Sequence, residues 1–201
     1  MCCISRLMHW GMPVLIRYFA PILAAAVTLS SLETAPATAR EWRATPEAIA
    51  GDYATINDTR PGDELLLLSW FVPQMIPPNS PGADVATAML RKYVVVMAVH
   101  GHLDRPTLKL SFEDITALQA SDQNGRALTP IAKNDLPPAS IAMLTAIEAL
   151  FRQSAGAMGN GMKLFVFDGG GIDSCSKGRL LIPLADETYT WDTPFPSCQQ
   201  N

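Results

Sequence analysis

The chain has 201 residues, 48% of them hydrophobic and 17% charged. That is enough for one domain with a sizeable core, and too little charge for a disordered tail protein. Fifteen Lys and Arg against nineteen Asp and Glu give a formal charge of -4, which argues against the broad basic footprint of a nucleic-acid-binding protein.

The first segment differs from the rest. Arg6 and Arg17 precede an uncharged run from Tyr18 to Leu32 containing Ile22-Leu23-Ala24-Ala25-Ala26-Val27. The run is shorter than the roughly 18–20 residues an α-helix needs to cross a bilayer, and Ala37-Thr38-Ala39 supplies the small residues a signal peptidase reads. Residues 1–39 are therefore expected to be a cleaved signal peptide. Residues 40–201 are expected to form a single exported domain, periplasmic or secreted and without a permanent membrane anchor. Cys2 and Cys3 leave with the leader, so Cys175 and Cys198 remain, and in an oxidising compartment such a pair is expected to form a disulfide.

Along the exported part, the apolar stretch within Asp63 to Val72 is bounded by Pro61-Gly62 and Pro73, the punctuation of a buried strand. Ala83 to Arg91 reads as a short helix. Tyr93 to Leu103, with three consecutive valines, reads as a central strand, paired antiparallel with Leu108 to Phe112 across Asp104-Arg105-Pro106. Asn124-Gly125 marks a tight turn between Ile115–Ala120 and Arg126–Ile131, a second expected hairpin. The clearest helix covers about Pro138 to Ala155, where Ile141, Leu144, Ile147, Leu150 and Phe151 recur at steps of three and four. Met162 to Phe167, Arg179 to Leu184 and Glu187 to Trp191 complete the strands. Strands outnumber helices and their connections are short, so the expected fold is mainly β: an antiparallel β-sandwich, immunoglobulin-like in the broad sense, with one long inserted amphipathic helix. The alternative is an α+β fold with that helix packed on one face of an antiparallel sheet. Trp42, Tyr53, Trp70, Tyr189 and Trp191 are expected in the core and its rim rather than on a stacking surface.

His100-Gly101-His102 carries the most suggestive chemistry. Residues two apart on a strand point to one face, so the two imidazoles can meet one zinc or copper ion. A third ligand has to come from elsewhere, with Asp104, Glu113, Asp114, Asp168 and Asp173 as the carboxylates to consider. The run Asp168-Gly169-Gly170-Gly171-Ile172-Asp173 lacks the helix of a phosphate loop and the spacing of an EF-hand, so it is expected to be a wide loop restrained by Cys175. No Gly-x-Ser-x-Gly elbow surrounds any serine. The expected function is a non-enzymatic binding or structural module of the bacterial envelope or periplasm, with an unknown protein or envelope component as partner. The alternative is a metal-binding protein or metalloenzyme built on His100 and His102.

Overall fold

The computed structural model describes residues 46–58 and 60–200. The expected signal peptide and Trp42 lie outside the described residues. None of the described helices is long and apolar enough to cross a membrane.

The described chain opens with helix α1 (Pro46–Tyr53), strand β1 (Ala54–Asn57) and strand β2 (Glu64–Phe71), followed by helix α2 (Ala83–Lys92) and the long strand β3 (Tyr93–Asp104). Strands β4 (Lys109–Phe112), β5 (Ser121–Asp122) and β6 (Pro130–Ile131) precede helix α3 (Pro138–Ser154), and β7 (Lys163–Asp168), β8 (Gly178–Leu184) and β9 (Glu187–Thr193) end the chain. The pairing is antiparallel throughout and forms two open sheets. One is six-stranded, in the order β1-β2-β3-β7-β6, with β4 beside the second half of β3; the other is three-stranded, in the order β5-β8-β9.

This corrects the expected sandwich. The fold is mixed α/β, with two unclosed sheets and, among the described residues, three helices. The reason lies in β3, which is buried on both faces. Val94, Val96 and Ala98 join Leu66, Leu68, Trp70 and Phe167 in a core shared with Leu180, Ile182, Tyr189 and Trp191 of the small sheet. Val95, Met97 and Val99 face the other way, against Met89 and Leu90 of α2 and Leu144 of α3. The alternative layout is nearer, since α3 does pack on one face of the large antiparallel sheet, but it lacks the second sheet and α1. Tyr53, Trp70, Tyr189 and Trp191 are core residues as expected.

The second expected hairpin forms only next to its turn: the Leu128 N–H donates to the Ala120 carbonyl at 2.8 Å, the Asp122 N–H to the Arg126 carbonyl at 3.0 Å, and Ser121 bridges Ala127. Beyond these bonds its arms join different sheets, β5 pairing with β8 and β6 with β7. The tight turn between them is nevertheless present, with Gly125 at φ 77° in a conformation glycine adopts without a Cβ penalty. Asp122 holds it, its Oδ1 accepting the backbone N–H groups of Asn124 at 2.8 Å and Arg126 at 2.9 Å. The Arg126 N–H is the main cause that keeps this carboxyl below the usual carboxylate range, with Asn124 adding to it against the opposing effect of burial. Its stabilising contribution is complete above about pH 4, the value of an unfolded aspartate, and is lost as the pH falls through the depressed folded value. Asp122→Ala is accordingly expected to lower the urea midpoint at neutral pH, with a penalty that shrinks on acidification. A penalty independent of pH would show that the carboxylate charge is not what holds the turn.

Candidate metal centre

Strand register builds one polar cluster at the end of the six-stranded sheet. In β3, His100 and His102 continue the face of Val96 and Ala98, beyond the apolar core. β2 places Glu64 opposite His102, on the same face as Leu66 and Leu68. β4 pairs Ser111 with His102 and Phe112 with Gly101, and the next residue, Glu113, donates its N–H to the His100 carbonyl at 2.9 Å. Alternation along each strand thus puts Glu64, His100, His102 and Glu113 on one face of three adjacent strands. Two glycines permit this approach. A Cβ on Gly101 would lie 2.8 Å from the Ser111 carbonyl oxygen, and one on Gly161 would lie 2.0 Å from the Phe112 ring.

The side chains close on one another. His100 Nε2 lies 2.6 Å from Glu64 Oε1, while its Nδ1 lies 3.2 Å from Glu113 Oε2. His102 Nε2 contacts Glu113 Oε1 at 2.8 Å. One ligand atom from each of His100, His102 and Glu113 can be chosen so that all three lie within 4.8 Å of one another, a group that can hold a metal ion. The inner members are well covered, with 14% of the His100 side chain and 15% of Glu64 exposed, whereas His102 at 41% and Glu113 at 54% open to solvent. The hydrogen bond to Glu113 is the main cause that raises the His102 imidazole above its ordinary value, against the opposing effect of burial.

Behind the cluster, Arg60 joins the two sheets. Its Nε donates to Glu64 Oε2 at 2.5 Å, one terminal nitrogen donates to Glu187 at 2.5 Å, and the other pairs with Asp186. Arg60 is the leading cause that holds the Glu64 carboxyl below the usual carboxylate range. Asn57 Nδ2 donates to the same Glu187 carboxylate. The neighbouring Tyr189 hydroxyl is buried beside Glu187 and Asn57. Burial, with the Glu187 carboxylate beside it, pushes its pKa up to about 12.

Of the carboxylates weighed from the sequence, Glu113 alone joins the histidine pair. Asp114 pairs with Lys163 at 2.5 Å, Asp104 accepts from Thr107, and Asp173 accepts the Cys175 N–H at 2.6 Å. The glycine-rich loop behaves as a connection, with Ile172 packed against the core and the expected bond between Cys175 and Cys198 formed at its end. Sequence reasoning missed Glu64 and Arg60. Glu64 had a weak signal, being two and four residues before the apolar Leu66 and Leu68 and hence on their face; Arg60 had none. A cavity of about 450 Å³ lies elsewhere, between Leu164–Phe167, Thr116–Leu118 and α3, and its charged residues Lys133 and Glu148 pair with each other at 2.9 Å.

No protein-family model matches the chain, and no curated protein or solved structure is significantly similar to it.

Proposed function

We propose that this is an exported metal-binding protein that holds one zinc or copper ion through His100, His102 and Glu113. The observation that carries the reading is the convergence of two imidazoles and a carboxylate from two strands, with one ligand atom of each within 4.8 Å of the others. Two nitrogens and an oxygen suit these ions, and three protein ligands leave a position open for water or another ligand.

Hydrogen-bond chemistry supports the same assignment. An ionised carboxylate only accepts, so the His100 proton facing Glu64 belongs on Nε2. In a neutral ring this leaves the Nδ1 lone pair facing Glu113 Oε2 at 3.2 Å, acceptor against acceptor. A second ring proton resolves that opposition, and so does a metal ion bridging the two acceptors. Metal–nitrogen bonds of about 2.1 Å require the group to tighten slightly, and the exposed His102 and Glu113 are the members free to turn. The same exposure makes the ion exchangeable.

Elemental analysis of untagged protein is the test. Stoichiometric zinc or copper is expected, lost in a His100→Ala His102→Ala double variant whose circular dichroism matches the wild type. Metal retained by that variant would place the ion elsewhere. Protein that stays metal-free in the presence of both ions would leave a metal-independent binding module as the reading.

A further inference from the structure

We infer that Glu64 is a positioning residue that sets which nitrogen of His100 is offered to metal, and that Arg60 fixes Glu64 in that role. The inference rests on the metal-binding reading and adds the ligand atoms: His100 through Nδ1, His102 through Nε2, and Glu113 through its carboxylate.

Three observations carry it. His100 Nε2 lies 2.6 Å from Glu64 Oε1, leaving Nδ1 as the nitrogen turned toward Glu113. Metal-binding histidines characteristically donate their second ring N–H to a carboxylate, which holds the tautomer and the ring orientation. Glu64 cannot turn away, because its other oxygen accepts from Arg60 Nε at 2.5 Å and both side chains are largely covered, with 15% and 10% exposed. Arg60 is anchored in turn by Asp186 and Glu187 at the turn between β8 and β9. The orientation of a ligand on the large sheet is thereby tied to the hairpin of the small one.

Arg60 gives the idea a sharp consequence, since a guanidinium has donors only. In Glu64→Gln the amide oxygen is held toward Arg60 and the NH₂ group is turned toward His100. Nε2 must then accept, the ring proton moves to Nδ1, and the metal-facing lone pair is gone. A near-isosteric change should therefore do more harm than a structural role predicts.

The test combines zinc titration with ¹⁵N NMR of the histidine rings, recorded at alkaline pH so that neutral rings report their tautomers. The wild type is expected to show His100 as the Nε2–H form, and Glu64→Gln as the Nδ1–H form with zinc affinity about 10–100-fold weaker. Glu64→Ala should weaken binding without imposing the Nδ1–H form. A tautomer unchanged in Glu64→Gln, or zinc affinity equal to that of the wild type, would overturn the inference. The tautomer comparison needs no metal, so a wild type that fails to bind zinc would remove the metal reading while the ring spectra still decide the role of Glu64.

Discussion

Replacing Phe167 with alanine is expected to cost about 3–5 kcal/mol of folding stability, read as a fall in the urea midpoint. Phe167 is 1% exposed and lies in the core between the two sheets. Removing its ring leaves a cavity whose walls are strands fixed by hydrogen bonds to their neighbours, so collapse around it is limited. Net stabilities are about 5–15 kcal/mol, which makes this loss a large share of the total. Leu150→Ala provides the contrast: its side chain is 62% exposed despite its place in the helical apolar pattern, and the expected change lies within about 0.5 kcal/mol. A Phe167→Ala loss below about 1 kcal/mol would mean that the small sheet does not pack over this face.

The contrast between those two residues shows what local pattern can and cannot give. The apolar run of β2, the three valines of β3 and the spacing in α3 identified elements to within a residue or two, because length, branching and breakers act locally. Burial on both faces erased the alternation in β3 that would have told one face from the other. Leu150 follows the three-and-four spacing of α3, yet at 100° per residue it sits roughly 110° from the axis through Leu144 and Phe151. α1 was missed although Pro46-Glu47 after Thr45 is a helix-start signal. The sandwich failed on long-range pairing. The Asn-Gly turn and its first rungs form, but the arms then go on to pair with β8 and β7, and nothing local encodes those partners.

The metal centre divides in the same way. His100 and His102 were legible because a two-residue spacing on a strand is a local fact. Glu113 was one carboxylate among five until β4 registered Phe112 against Gly101. Glu64 entered through the β2–β3 register and Arg60 through a loop, neither of which hydrophobic periodicity addresses. The adjacent acids Asp63 and Glu64 divide by face: Asp63 pairs outward with Arg105, and Glu64 turns in to His100.

Cys175→Ala Cys198→Ala is expected to lower stability by about 3 kcal/mol, the chain-entropy value for a loop of about 22 residues. The bond spans 23 positions and encloses the β8–β9 hairpin, so its main action is on the unfolded chain, which loses freedom it would otherwise have. In the folded state the tail has other holds. Phe195 is buried edge-on between Tyr53 and Trp70, with ring centroids 4.7 and 5.3 Å away, Ser197 accepts a hydrogen bond from the Tyr53 hydroxyl, and the Phe195 N–H reaches the Ser174 carbonyl at 3.0 Å. The double variant should therefore keep its native near-ultraviolet spectrum while its urea midpoint falls. Its m-value should rise, because an uncrosslinked unfolded chain exposes more surface. A loss near 3 kcal/mol with a lost near-ultraviolet signal would instead mean that the bond holds the tail in place. A loss below about 1 kcal/mol with an unchanged m-value would mean that the unfolded chain already keeps this hairpin closed.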